Sequence, residues 1–264
     1  YWPSPWPGED GGPGRLQRSP SPGPGFTAEG ASVVFREGVA TTMVVLRDPG
    51  EVFVLRHSAG PDSVSWVEQV DPVSLEVRAR SVDLAGGPTW PGGLAAHADG
   101  SLYVVFGNHA HRLAPTLEVL ASVELPRHAP YNSFVVLPDG HLVTKDFGGV
   151  LPGGDPDAHQ PPPCELLVLE PESLAVVARC SVPEPSIARL SADGSTVYVV
   201  GTTTLYRASW DGTALVADPG FAATYVTEPG QTYGWDATLA PGAAWFLDDG
   251  FGSGRYVGTF QGTG

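Results

Sequence analysis

A short β-hairpin pattern occurs five times in this sequence and restricts the folds open to it. Each copy has an Asp-Gly or Pro-Gly turn between runs of Val, Leu, Tyr, Phe and Ala, most of which favour strands. Glycine takes the positive φ that a tight hairpin turn requires. The turn glycines recur roughly every 50 residues, at Gly50, Gly100, Gly140, Gly194 and Gly242.

A second hairpin element lies between the first three of these copies and the next copy along the chain. In it a Pro precedes Ser or Thr and then Leu-x-Val, in the segments 70–84, 113–125 and 169–183. Proline presets φ for the turn, and the apolar residues after it begin another strand. Together the two elements form a four-stranded antiparallel unit, which is typical of β-propeller blades. A β-sandwich is the alternative, but it does not explain why the turn chemistry recurs in phase.

The length of the chain allows four complete blades and part of a fifth. Four blades fit between about residues 40 and 218, and a fifth begins at Gly234. In one interpretation, residues 31–37 (ASVVFRE) supply an outer strand that closes a five-bladed ring. In the other, which we favour, the sequence stops partway through a larger propeller, since no strand-like closure follows the last hairpin.

The first 30 residues differ from the rest of the sequence. They are rich in Pro and Gly and show no strand or helix period, with Trp2 and Trp6 as their large apolar anchors. We therefore predict an N-terminal arm or linker over 1–30 and a propeller domain over 31–264. Because two Trp are costly to leave in water, we expect the arm to lie against the domain.

The charge balance excludes some classes of partner. The sequence has 14 Lys and Arg against 29 Asp and Glu, a formal net charge of −15. Phosphate backbones and anionic lipid surfaces need clustered positive charge, so nucleic acid is not an expected partner. No run of 18 apolar residues occurs, and a membrane span is not expected either.

One blade resembles the inner strands of gluconolactonase and senescence-marker-like propellers and of related strictosidine-synthase-like and surface-layer-type propellers. The segment APYNSFVVLPDG (129–140) places Asn132 eight residues before the turn glycine, as that group does. The resemblance implies a Ca²⁺ ligand at Asn132 in the central channel, with Asp236 near the matching place in the last blade, and lactonase or esterase chemistry. Elsewhere the matching positions hold Gly92, Ser186 and Gly234, which are not ligands. The alternative is that Asn132 only caps its loop.

Loops that join consecutive blades, and loops between the second and third strands, open on one face of a propeller, where ligands usually bind. Aromatic, cationic, amide and carboxylate groups occupy these loops, so we predict a binding face there. Its candidate residues are Trp90, Asn108, His109, Arg127, His128, Tyr131, Lys145, Asp146, Tyr233 and Trp235.

Two pairs that include residues of this set have simple strand geometry. Lys145, the single lysine of the chain, adjoins Asp146 at a strand end, and neighbours on a strand point to opposite faces. They line one surface only if the strand has ended, and a surface charge pair is the alternative. His109 and His111 share a face and could bind one metal ion or simply be solvated.

The two cysteines bear on the cellular compartment. Cys164 and Cys180 flank a hairpin and lie opposite each other if its turn centres on Glu172, which permits a cross-strand disulfide. A disulfide would favour an extracellular or periplasmic protein, whereas two reduced thiols would fit the cytoplasm.

Three functions remain open from the sequence. The first is a propeller of unassigned activity that binds a small molecule, glycan or protein on the aromatic loop face. The second is a calcium-dependent hydrolase. The third is a scaffold without a ligand, which predicts that Trp90 and Trp235 are packed between blades.

Overall fold

The structure is a computed structural model that describes residues 1–18, 32–38, 41–151, 154–155, 158, 160–229, 231 and 234–247. In these ranges, nineteen strands form four large antiparallel sheets and one two-stranded hairpin. The predicted all-β architecture of four complete blades and a partial fifth is confirmed. No described helix is long and apolar enough to cross a membrane.

Blade 1 has an interrupted outer edge. Its first three strands pair in chain order, and both of the remaining strands pair with the third. Its strands are β1 (Thr41–Leu46), β2 (Val52–His57), β3 (Ser63–Val70), β4 (Val77–Arg80) and β5 (Leu84–Gly87).

The next three blades each have four strands paired in chain order. Blade 2 comprises β6 (Gly93–Ala96), β7 (Leu102–Phe106), β8 (His109–Leu113) and β9 (Val119–Glu124). Blade 3 comprises β10 (Val135–Val136), β11 (Leu142–Lys145), β12 (Glu165–Leu169) and β13 (Val176–Ser181). Blade 4 comprises β14 (Ser191–Asp193), β15 (Thr196–Val200), β16 (Thr204–Trp210) and β17 (Leu215–Thr224). The last hairpin pairs β18 (Thr238–Ala240) with β19 (Ala243–Trp245).

The predicted hairpin turns are present in every copy. The five turn glycines all have positive φ, between 56° and 93°. The second turn element contains a conformation that the sequence did not predict, because Leu75, Leu117 and Leu174 have φ of 61°, 70° and 62°. In these turns a leucine, and not a glycine, takes the left-handed position.

Hydrophobic side chains pack between consecutive blades. Along β7, Leu102, Val104 and Phe106 face the cluster shared with blade 1, and Tyr103 and Val105 face the cluster shared with blade 3. Both faces of this strand are therefore buried, which explains why its sequence is apolar without alternation. Further clusters join blade 3 to blade 4, and blade 4 to the β18–β19 hairpin.

The described part of the predicted arm, residues 1–18, lies among the inner strands β1, β6, β10, β14 and β18, and we call this segment the arm. Its backbone bonds β6 at Ala96, β1 at Leu46, β14 at Ala192 and β18 at Leu239. The arm includes a short 3-10 turn, Glu9–Gly11. We call the space enclosed by the inner strands the axial channel, and the arm occupies it. The predicted boundary at residue 30 lies outside the described residues.

The strand proposed to close a five-bladed ring is not formed by the described residues 32–38. These residues have no strand structure, and the side chains of Val33 and Phe35 are 88% and 80% exposed. Arg36 instead donates to the carbonyl of Leu75, at 3.0 Å, and pairs with Glu68 of blade 1. The segment therefore contacts the first blade and not the last, and the ring-closing interpretation is wrong for these residues.

The predicted cysteine register is also wrong. Cys180 pairs with Leu166 and not with Cys164, and both cysteines are free thiols. The register shifts between Val168 and Leu169, and Leu174 in the turn has a left-handed conformation. The residues that face each other therefore differ from those expected for a simple turn centred on Glu172. Cys164 is buried and Cys180 partly exposed.

Candidate ligand-binding site at the mouth of the channel

A buried ionic cluster holds the arm in the channel. The Arg15 guanidinium donates to Glu9 at 2.5 Å, to Asp10 at 2.9 Å, to Ser133 Oγ at 3.1 Å and to the carbonyl of Leu190 at 2.5 Å. Burial lowers the pKa of Arg15, but the carboxylates around it outweigh this effect and the pKa is raised above its ordinary value. Arg15 is therefore a permanent cation that joins the arm to blades 3 and 4.

A second arginine completes this cluster from the loop before β14. Arg189 donates to the carbonyls of Gly92 and Asn132, at 2.8 and 3.0 Å, and pairs with Glu9 at 3.0 Å. Its backbone N–H donates to Asp236 Oδ1 at 2.6 Å. Residues from blades 2, 3 and 4, the last hairpin and the arm thus meet at this end of the channel.

Lys145 is fully buried beside this cluster. Its ammonium donates to Asn132 Oδ1 at 2.9 Å and to the carbonyls of Asp146 and Ser186, each at 3.0 Å. Three N–H groups thus meet three neutral oxygens, and burial lowers the pKa of Lys145. Asn132 also donates to the carbonyl of Ile187, at 2.9 Å.

The calcium site implied by the sequence resemblance does not fit this arrangement. Asn132 and Asp236 do both reach the mouth of the channel, since both contact Arg189. However, the side-chain oxygen of Asn132 accepts a hydrogen bond from an ammonium, and a divalent ion at that oxygen would lie against the positive charge of Lys145. The described residues contain no group of three His, Cys, Asp or Glu arranged to hold a metal.

Asp146 turns away from Lys145, as strand geometry predicts. It accepts from Arg127 at 2.6 Å and from the backbone N–H of Glu165 at 2.7 Å. Arg127 also donates to the carbonyl of Pro163, and its backbone N–H donates to the hydroxyl of the buried Tyr131. These residues anchor the two ends of the long loop between β11 and β12.

Trp90 is packed under the loops and not presented to solvent. It is 6% exposed and stacks on Phe147, with 4.0 Å between ring centroids, while Ile187 joins the same cluster. The scaffold alternative predicted such packing for Trp90. Trp235 packs against this cluster but is only partly buried.

Three other candidates serve the contact between blades 1 and 2. Asn108 donates to Glu124 at 3.0 Å, and its backbone N–H donates to Gly86. The rings of His109 and His111 contact the carbonyls of Gly86 and Ala85, both at 2.8 Å, and burial lowers the pKa of His111 to about 4. The two histidines share a face, but they face the backbone of β5. His128 is exposed on the loop before β10, and Tyr233 lies outside the described residues.

An open cavity lies where the last hairpin faces blade 1, and we call it the gap cavity. It has a volume of about 550 Å³ and combines charged groups with aromatic ones. Its lining residues are Asp10, Arg15, Gln17, Met43, Arg189, Trp235, Asp236, Thr238, Trp245, Phe246 and Leu247. A small apolar-edged recess of about 40 Å³, which shares Trp235 and Arg189 with it, reaches toward Asn132.

The sequence predicted some of this site and missed its charged centre. Trp235 and Asp236 were predicted, whereas Glu9, Arg15, Arg189 and Trp245 were not. Arg15 lies in a segment without any strand or helix pattern, and Arg189 follows a strand in a loop of ordinary composition. The spacing of Arg189 before a turn glycine is a usable signal, because it lies five residues before Gly194 on the inner-strand side.

Comparisons with known proteins identify the fold class. No protein-family profile and no curated protein matches the sequence. BamB of Moraxella catarrhalis is similar in structure, with 12% identity, a TM-score of 0.50, and coverage of 73% of this chain and 57% of that one. A protein assigned as an oxidoreductase (glucose dehydrogenase) from Thermus thermophilus matches with 15% identity, a TM-score of 0.47, and coverage of 79% and 77%. The WD40 domain of Neurospora crassa Pan2 matches with 8% identity, a TM-score of 0.41, and coverage of 68% and 60%.

The chain is a β-propeller, by its repeated four-stranded sheets and by its likeness to BamB. At 12% identity that likeness concerns the fold alone. The narrower resemblance to gluconolactonase-like propellers stays a prediction from one blade.

Proposed function

We propose that this β-propeller is a binding protein for a small neutral saccharide, which it holds in the gap cavity. The observation that supports this proposal is the placement of Trp235 and Trp245 on the same cavity as Asp236 and Arg189. An indole face packs against the C–H face of a sugar ring, and carboxylate and guanidinium groups bind its hydroxyls. The side chain of Trp245 is 69% exposed and needs no rearrangement to meet a ligand.

The size and charge of the cavity narrow the ligand class. A volume of about 550 Å³ lies within the range that holds small organic ligands, roughly 300 to 1,000 Å³. The lining has two carboxylates, Asp10 and Asp236, and two guanidinium groups, Arg15 and Arg189, so its formal charges balance. A balanced lining offers donors and acceptors without favouring a strongly charged ligand.

Binding is favoured over hydrolysis because the carboxylates of the cavity are engaged. Asp10 pairs with Arg15, and Asp236 accepts from the backbone of Arg189 while its other oxygen lies 3.8 Å from Arg15. A general acid or base needs a carboxyl whose proton exchanges with the substrate. Both carboxylates of the cavity are instead bound to arginine and backbone donors of the protein itself.

The test is a calorimetric and tryptophan-fluorescence titration with a panel of neutral mono- and disaccharides. We expect saturable binding by at least one sugar, about tenfold weaker in Trp245→Ala and Trp235→Ala, since aromatic contacts contribute about 1 kcal/mol or more. Trp66→Ala is the matched control, because Trp66 lies on blade 1 under Arg80 and away from the cavity. No saturable binding to the wild-type protein, or equal loss in all three variants, would contradict the proposal.

The compartment stays a prediction. The disulfide would have supported export, and the free thiols of Cys164 and Cys180 withdraw that support. Titration of native protein with a thiol reagent, with and without reductant, distinguishes the two alternatives.

A further inference from the structure

We propose that the axial channel is a binding site for a proline-rich peptide, and that the arm occupies this site in cis. The proposal concerns a ligand different from that of the gap cavity, although the arm lines part of that cavity through Asp10, Arg15 and Gln17. The observation behind it is that the arm belongs to no sheet and is held by backbone hydrogen bonds to the inner strands of separate blades.

The backbone chemistry of the channel suits a proline-rich ligand. Inner strands donate N–H groups to arm carbonyls, from Leu46 to Trp6, from Ala96 to Pro7, from Ala192 to Pro13 and from Leu239 to Gly14, at 2.7 to 2.8 Å. In the other direction the arm donates to an inner strand through the backbone of Trp2. Proline has no N–H but keeps its carbonyl, so a channel that presents donors selects for it.

Side-chain pockets give the site its sequence preference. Trp2 lies under the guanidinium of Arg47, 4.8 Å from the ring centroid, and donates to Asp48 at 3.2 Å. At the other end, Glu9 and Arg15 of the arm pair with each other, and Glu9 also pairs with Arg189. Gly93 of β6 leaves the space that Glu9 fills, because a Cβ there would clash with the Glu9 carboxylate. The preferred peptide thus carries an aromatic residue, prolines, and a glutamate and an arginine that pair with each other.

The tether makes this occupancy hard to detect in the intact chain. Residues 19–31 connect the arm to the next described segment and include Pro20, Pro22 and Pro24. A short tether gives the arm an effective concentration on the order of millimolar at its own site. A free peptide therefore competes only when the connection is cut.

The experiment inserts a site-specific protease sequence between Pro22 and Gly23 of the full chain. After cleavage, a fluorescent synthetic peptide of residues 1–18 is added, and its uptake is followed by anisotropy and native mass spectrometry. We expect saturable one-to-one exchange into the cut protein and about 100-fold less uptake by the uncut protein. Uptake of a scrambled peptide equal to that of the native one would overturn the proposal.

Peptide variants distinguish specific from nonspecific binding. Peptides with Trp2→Ala or Arg15→Ala should bind about tenfold more weakly or worse, because each loses hydrogen bonds or contacts to charged groups. Arg18→Ala is the matched control, since Arg18 is exposed and should leave binding unchanged. If the cut arm fails to exchange, or leaves only as circular dichroism shows the blades unfolding, the arm is an integral part of the fold and the proposal is wrong.

Discussion

At the scale of single residues, the protein keeps several polar groups away from water and satisfies them individually. Lys145 meets three neutral oxygens, and Arg15 meets two carboxylates, a hydroxyl and a carbonyl. A buried cation without such partners would cost several kcal/mol. Here the same contacts that offset burial also fix the positions of Asn132 and Ser133, and hence the shape of the channel mouth.

Replacing Tyr131 by Phe should alter stability at high pH. Burial raises the pKa of Tyr131 to about 12, above the value near 10 of an unfolded chain. The neutral phenol therefore contributes stability that is present below pH 10 and lost as the pH rises toward 12. In Tyr131→Phe the decline of unfolding free energy over this window should be shallower by roughly 1.4 kcal/mol per pH unit.

Urea unfolding of both proteins at pH 8, 10, 11 and 12 measures this effect. At pH 8 the variant should be less stable by about 1 kcal/mol, because it lacks the hydroxyl that accepts from Arg127. Parallel pH profiles for the two proteins would rule out the assignment.

Residue-scale prediction from the sequence was limited, because composition and spacing do not show which polar side chains become buried. The sequence points to Lys145, its single lysine, as a binding-face residue or as part of a surface charge pair, whereas its side chain is fully buried at the channel mouth. Arg15 and Arg189 are two of thirteen arginines, and only Arg189 has a distinguishing position, five residues before a turn glycine. Their pairing with Glu9 depends on which loop the arm passes, and local spacing carries no information about that.

At the scale of elements, the outer hairpins share a turn whose leucine has positive φ. Leu75 and Leu174 each donate a backbone N–H to the first residue of the turn, four positions earlier. The left-handed conformation costs roughly 1 kcal/mol for a residue with a Cβ. Leu174 is fully buried and Leu75 is not, so packing offsets this cost in one turn more than in the other.

The same substitution should therefore have different effects in two matched turns. Leu174→Gly should lower the unfolding free energy by about 3 kcal/mol, because it removes a buried side chain. Leu75→Gly should change it by less than about 1 kcal/mol, because relief of strain and added unfolded-state entropy nearly cancel. Urea unfolding of the two variants measures both values, and equal destabilisation would show that the turn conformation and not burial sets the cost.

Strand patterns predicted the hairpins but not their bulges. The apolar run of Leu166, Leu167 and Val168 indicates that a strand is present, and turn glycines indicate where most hairpins reverse. A bulge adds one residue to one strand without changing composition. The irregularity at Val168 and Leu169 thus displaced the predicted Cys164–Cys180 pair, although the hairpin itself is present.

At the scale of the whole molecule, the arm connects parts of the chain that no sheet connects. It bonds β1 of the first blade and β18 of the last hairpin, and its Arg15 joins the ionic cluster between them. The order of the four complete blades follows from the sequence repeat, since each repeat encodes its own sheet. The path of the arm does not, because its proline and glycine content indicates only an absence of regular structure.

Removing the charge of Arg15 should destabilise the whole propeller. Arg15→Met leaves the buried Glu9 carboxylate without one of its partners, and we expect a loss of about 3 kcal/mol in unfolding free energy. Arg80→Met is the control, since the Arg80–Asp83 pair is exposed and should contribute less than about 1 kcal/mol.

Thermal and urea unfolding of the two variants measure these losses of stability, and the double variant Glu9→Gln/Arg15→Met is the third protein in the comparison. The double variant should recover part of the loss, because it no longer buries an unpaired charge. Equal stability of Arg15→Met and the wild type would mean that the arm does not secure the blades.

The path of the arm also sets the order in which the chain reaches its native state. The hydroxyl of Thr238 donates to the carbonyl of Arg15 across 223 positions of sequence. Each blade closes its sheet through neighbours in the chain and can form during synthesis, as local contacts form early. The arm must instead wait for a strand that is made 223 positions later, so its residues are synthesised before the blades and reach their final contacts after them.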